Sequence, residues 1–227
     1  YISYHHKTIG GYSPAKLQRY QDLIDRYIRK EITQIGSELQ GVTTLDEASS
    51  AITFHPVLSM LNTRYIIVNG ESAPIVNSYA LGNCWFVDEV IEASDANDEI
   101  AKLATIDPRK TAVVNKKFNV SAKEAVDTTG FASISLTSYA PNKLVYHYST
   151  AKPRVALFSE VYYPGWKAVV KDAAGKESEL DIFQADWVLR GAIVPAGEGD
   201  ITFTFQPKSF IKGESYSLYA SLLLLIL

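Results

Sequence analysis

Phe131-Ala-Ser-Ile-Ser-Leu-Thr-Ser-Tyr-Ala-Pro-Asn142, Lys143-Leu-Val-Tyr-His-Tyr148 and Val155-Ala-Leu-Phe-Ser-Glu-Val161 alternate apolar and polar residues with period two. That is the pattern of strands, whose successive side chains point to opposite faces of a sheet. Ile134 and Leu136 alternate with serine and threonine, and Pro141-Asn142 turns the chain into the next strand. Val155, Leu157 and Val161 alternate with Ala156, Phe158 and Glu160. Pro164-Gly165 then turns into Trp166–Val170, Ala174-Gly175 marks the next turn, and Trp187–Val194 reaches Pro195-Ala-Gly197. Beyond it, Ile201, Phe203 and Phe205 alternate with Thr202, Thr204 and Gln206. Six or seven short strands at roughly ten-residue spacing predict an antiparallel β-sandwich, jelly-roll or immunoglobulin-like, over about residues 131–210.

Upstream, residues 1–130 read as a mixed α/β part, so the fold class is α+β. Ser13-Pro14 is a helix start, with serine as N-cap and proline at the first helical position. Leu17, Tyr20, Leu23, Ile24, Tyr27 and Ile28 follow at spacings of three and four, and Glu31 breaks the stripe, so this helix is expected to end near residue 31. Leu17, Tyr20, Ile24 and Tyr27 are its expected buried face. His55-Pro56 opens a short helix, Tyr65–Val68 reads as a buried strand, and Cys84–Val87 is a strand continuing toward Val90 and Ile91. Ser94-Asp95 caps a helix whose Ile100 and Leu103 face inward.

The 227 residues are 47% hydrophobic and 21% charged, room for one or two globular domains at about 150 residues each. With 22 basic and 25 acidic residues the net charge is −3, so no bulk field draws in nucleic acid. The single Cys84 excludes an internal disulfide and a cysteine-based zinc cluster. The chain starts at Tyr1 without a signal-peptide pattern, as expected of one that is processed or cut from something longer. Tyr216-Ser-Leu-Tyr-Ala-Ser-Leu-Leu-Leu-Leu-Ile-Leu227 carries no charge over twelve residues. As a helix it reaches about 18 Å, short of the about 30 Å hydrocarbon core. A buried terminal element is one account. The abrupt aliphatic stop favours another, that residues 211–227 are the start of a transmembrane helix, with Tyr216 and Tyr219 at the interface.

Motifs for chemistry are sparse. No GxGxxG, Walker A or HExxH pattern occurs. Adjacent His5 and His6 point apart on an extended chain, and His55 and His147 stand alone. No catalytic residue, metal ligand or cofactor site is assigned. Asp95, Asp98 and Glu99 cluster at a helix start, where they offset the macrodipole. Glu160, Asp181 and Asp186 would form a glycosidase pair only if two carboxyls faced each other across a cleft. Cys84, within an apolar run, reads as a core thiol. The suggestive feature is aromatic: 14 Tyr and 3 Trp, with Tyr139, Tyr162, Tyr163 and Trp166 at turns. Such rings stack on sugar faces while Glu160, Lys167 and Arg190 bond hydroxyls, making Tyr139, Tyr162, Tyr163, Trp166, Glu160 and Arg190 candidate glycan-binding residues. The alternative is that they pack a core with polar tips at its rim or lie at a membrane interface.

Several blocks together resemble the YfhO family of bacterial polytopic membrane proteins. They are Ser3-Tyr-His-His-Lys-Thr-Ile-Gly-Gly-Tyr12, Ala15-Lys-Leu-Gln-Arg-Tyr-Gln-Asp-Leu-Ile24, Met60-Leu-Asn-Thr-Arg-Tyr-Ile66, Ala80-Leu-Gly-Asn-Cys-Trp-Phe-Val87, Thr111-Ala-Val-Val114, Phe158-Ser-Glu-Val-Tyr-Tyr-Pro-Gly-Trp166, Val188-Leu-Arg-Gly191 and Val194-Pro-Ala-Gly197. Pro164-Gly165 departs from that pattern by lacking the residue the family often places between them. The resemblance implies the extracytoplasmic domain of the Bacteroidetes-type members, just before the last transmembrane helix, on the outer face of the bacterial inner membrane. It also implies a membrane portion similar to GT-C glycosyltransferases of cell-envelope sugars. The loop that carries the catalytic carboxylate in those enzymes has no counterpart here. The expected role is non-catalytic recognition of an acceptor glycan, lipid-linked sugar or partner, alongside the protein's own transmembrane region. The alternatives are a carbohydrate-binding or adhesion module of the envelope, and a soluble glycosidase.

Overall fold

The computed structural model describes residues 7–10, 16–120 and 129–207, together with Gly213, Tyr216, Ser217 and Ser221. Ser13-Pro14, the pair His5-His6 and the transmembrane segment expected at 211–227 therefore lie outside the described residues, apart from those four positions. Among the described residues no helix is long and apolar enough to cross a membrane.

The fold is β-rich, with helices gathered near the N-terminus. Helix α1 (Gln18–Leu23) runs through a π-helical segment (Ile24–Ile28) into α2 (Arg29–Glu38). The helix thus passes Glu31, where the sequence predicts its end. Glu31 is buried, and its carboxylate accepts from the backbone N–H groups of Val57 (3.0 Å) and Leu58 (2.8 Å). A residue that reads as a break in the apolar stripe is instead the cap of a neighbouring helix, α4 (Pro56–Met60), which follows α3 (Leu45–Ala51). The wider π turn also shifts the buried face to Leu23, Ile28 and Ile35. Tyr20, Ile24 and Tyr27 only partly bury against that core, and Leu17 stays 44% exposed.

Tyr65–Val68 differs from its expected form as well. Only β1 (Tyr65–Ile66) is strand, paired with β2 (Ile75–Val76) in a two-stranded ribbon. Without further neighbours to cover them, Tyr65 and Val68 stay exposed. Farther on come β3 (Cys84–Phe86), β4 (Glu89–Ala93), α5 (Ala96–Lys102) and β5 (Thr111–Asn115). Asp95 caps α5 through the N–H groups of Asn97 and Asp98, and Ile100 and Leu103 turn inward as expected.

Among the described residues, eight strands follow residue 131: β6 (Ala132–Ala140), β7 (Lys143–Thr150), β8 (Arg154–Val161), β9 (Trp166–Asp172), β10 (Glu177–Leu180), β11 (Ile182–Ala185), β12 (Leu189–Val194) and β13 (Gly197–Phe205). Every pairing among them is antiparallel, and the parallel pair is β4 with β5. A five-stranded sheet runs in the order β10-β9-β13-β7-β6, and a six-stranded sheet in the order β3-β8-β12-β11-β5-β4. The change of period at residue 131 therefore does not separate the sheets. Strands 84–86, 89–93 and 111–115 complete the sheet that β8, β11 and β12 begin. Leu144, Tyr146, Tyr148, Ala168, Val170, Ile201 and Phe203 of the five-stranded sheet share one core with Ala156, Phe158, Ala192 and Val194 of the six-stranded sheet. Val113, on the same side of the larger sheet, packs instead with Leu23, Ile28, Ile100 and Trp187. Val155, Leu157, Phe183, Ala112 and Val114 fill the opposite face.

Candidate functional site

The site forms where β8 loses register with β12. Gly191 pairs with Leu157 and Arg190 with Phe158, but Leu189 pairs with Val161, so Ser159 and Glu160 bulge from the ladder. A bulge re-aims side chains and is favoured beside functional sites. Ser159 anchors this one, its Oγ donating to the carbonyls of Met60 (2.9 Å) and Gly82 (2.6 Å). Beyond the bulge the chain turns at Gly165, whose φ of 108° favours glycine. A β-carbon there would stand 3.0 Å from Pro207 Cα and 3.2 Å from the Phe205 ring. The close approach sets Trp166 5.2 Å and Tyr163 6.1 Å from Phe205, centroid to centroid.

Glu160, Tyr163, Trp166 and Arg190 thereby converge on one cleft of about 610 Å³. It opens at the end of the core between the two sheets. The segments containing Thr8–Gly10 and Lys16–Leu17, Tyr20 and the turn Pro141-Asn142 form the rest of its wall. Tyr20 is tied in by its hydroxyl, which donates to the Ile9 carbonyl at 2.7 Å, and burial pushes that phenol up to about 12. Arg190 is 1% exposed. Its guanidinium lies 4.1 Å from the Trp166 centroid and 5.2 Å from that of Phe203. Nη2 donates to Glu160 Oε2 at 3.4 Å, while Nε and Nη1 have no hydrogen-bond partner among the described residues. Burial holds this guanidinium below its ordinary pKa, against the opposing pull of Glu160.

The other two candidates do not line the cleft. Tyr139 is half-exposed on β6 with Lys7 Nζ 3.1 Å above its ring. Tyr162 donates its backbone N–H to Val188 and meets Phe118 edge-on at 5.8 Å. Lys167 is exposed and does not line the cleft. Sequence reasoning missed Tyr20, Lys16, Asn142 and Phe205, for which no local signal existed. Their place follows from packing between distant segments.

Of the three carboxylates considered for acid–base work, Glu160 alone lines the cleft. Asp181 is exposed, and Asp186 is wholly buried in a second polar cluster. There Asp186 Oδ1 accepts from Val113 N–H at 2.7 Å while Oδ2 has no partner among the described residues, and burial raises the carboxyl to about 7. Glu99, expected as a simple helix-start charge, is buried too. It accepts from Arg19 Nη1 (3.1 Å) and Asn115 Nδ2 (3.2 Å). Arg19 stacks at 4.0 Å on Trp187, whose indole N–H donates to the Arg19 carbonyl at 2.6 Å. The cluster pins α1 to the six-stranded sheet. Burial raises the Cys84 thiol to about 12, in keeping with a core thiol. His55 meets Glu38 at 3.0 Å, and exposed His147 meets Asp200 at 3.0 Å.

Compared with protein-family models, with curated proteins and with solved structures, the chain matches none.

Proposed function

We propose that this chain is a non-catalytic glycan-recognition domain, its two larger sheets forming a β-sandwich whose open end is the binding cleft. The observation that carries the reading is the convergence of Tyr163, Trp166, Glu160 and Arg190 on that cleft. Aromatic rings offer apolar platforms to pyranose faces, and a few fixed polar groups orient the hydroxyls. Of the wider context, the YfhO-like blocks support an extracytoplasmic domain of a membrane protein with a GT-C-like transferase portion, presenting acceptor glycan or lipid-linked sugar to it. The apolar 216–227 stretch supports a following membrane span. In that setting the domain faces the periplasm.

Calorimetric titration of the chain with a panel of cell-envelope oligosaccharides tests the recognition reading. Binding that Trp166→Ala abolishes, with the fold intact by circular dichroism, is the expected result. No binding across the panel, or binding indifferent to Trp166, overturns it. Turnover of a glycoside or lipid-linked sugar by the chain alone overturns its non-catalytic part.

A further inference from the structure

Arg190 narrows the ligand to a chemical class, an inference that rests on reading the cleft as a glycan site. A guanidinium has five N–H donors and accepts nothing, so its partners must be acceptors. Here two of its three nitrogens, both buried, have none among the described residues. The third meets Glu160 at 3.4 Å, well beyond the about 2.7–2.9 Å of a charge-assisted bond. Trp166 and Phe203 attract the cation through their faces, yet leave the in-plane donors unsatisfied. For packing alone, an apolar side chain of similar volume would serve this position as well or better. Lys16 adds a second cation to the wall, so two positive charges face one carboxylate. The group already leaning toward the guanidinium is itself a carboxylate. Its side chain is 28% exposed, so it has solvent to turn into.

We propose that the cleft binds a uronic-acid saccharide whose carboxylate displaces Glu160 and takes a bidentate seat on Arg190. Glu160 is then a stand-in for the ligand, neutralising the guanidinium while the cleft is empty. Trp166 holds the sugar ring, and the planar fork of Arg190 reads the carboxylate. The two acidic groups compete for one cation, so the variants have opposite effects. Removing the competitor strengthens binding of the acid, and removing the cation weakens it.

The test is calorimetric titration of the 227-residue chain with an oligogalacturonate, with its methyl ester, which keeps the sugar and removes the charge, and with sodium acetate. The acid is expected to bind about tenfold tighter than the ester. Glu160→Gln should tighten the acid several-fold relative to the ester, and Arg190→Met should bring the acid down to the ester. Should Arg190→Met fail to fold, the sign of the Glu160→Gln effect decides. Equal affinity for acid and ester, or weakening of the acid by Glu160→Gln, overturns the proposal while the glycan reading stands. Acetate binding as tightly as the saccharide acid overturns the sugar part, and no binding of either saccharide overturns the uronic-acid proposal, leaving the glycan reading to the oligosaccharide panel.

Discussion

At the β8–β12 end of the six-stranded sheet, Phe158 meets Tyr146 and Phe203 edge-on, each centroid 4.8 Å away. At the β5 end, the same side of the sheet meets α1 and α5 through Glu99, Arg19, Asn115 and Asp186. The first contact is apolar, with Arg190 only at its rim, and it depends on ring shape. The second is studded with buried carboxylates and depends on their partners and protons. One face of the sheet is therefore covered by two materials of different sensitivity, dispersion packing at one end and paired charge at the other.

Four measurements break or sharpen that contrast. Phe158→Ala should cost about 3–5 kcal/mol in urea unfolding, because it empties the centre of the ring triad and the sheets cannot close over the void. A cost under about 1 kcal/mol would show that the sheets repack freely. In the polar half the sign reverses. Asp186 sits near 7 when folded against an ordinary 3.8, so between these values the folded chain holds a proton that the unfolded chain has released. Its contribution to stability thus falls as pH rises through that window and is flat above it. Asp186→Asn keeps the acceptor for Val113, suits the φ of 46°, and should match the parent near pH 4. By pH 8 it should exceed the parent by on the order of 2–4 kcal/mol. Parallel melting curves across pH would dispose of this account. Glu31→Ala should cost about 2–3 kcal/mol, since Val57 and Leu58 N–H would be left buried without an acceptor. Glu31→Gln should recover part of that loss, and equal losses would show that the carboxylate only fills space. The smallest effect is expected from removing residues 215–227, which on the membrane-span reading shifts stability by less than about 0.5 kcal/mol. A large destabilisation would make that segment part of the core.

What the sequence made legible was local. The period-two runs after residue 131 became strands, with turns at Pro141-Asn142, Pro164-Gly165 and Ala174-Gly175, because alternation and turn chemistry act over a few residues. Trp166 and Tyr163 could be singled out because a large ring beside a Pro-Gly turn has little core to enter. The misreadings all concern distant partners. Glu31 looked like the end of a helix because its use is to cap a helix some twenty-six residues away. In the sequence Asp186 is one of three carboxyls weighed for a glycosidase pair, yet its acceptor role lies seventy-three residues off in β5. Nothing local tells that residues 84–115 add strands to a sheet begun by 154–194, since hydrogen-bond pairing of strands carries no sequence mark of its partner.

That shared sheet also constrains the order in which the chain can mature. Emerging from a ribosome, residues 84–115 carry β3 and the β4–β5 pair with no strand yet to bridge them. β3 waits for β8, and β5 waits for β11. The helices wait as well, because Arg19 finds Trp187 only 168 positions later. High contact order of this kind slows folding and leaves apolar edges such as Ala112–Val114 open in the interim. Synthesis must run past Trp187 before the first helix can take its place on the sheet, so its earliest segments hold their partners' seats open for most of the domain's length.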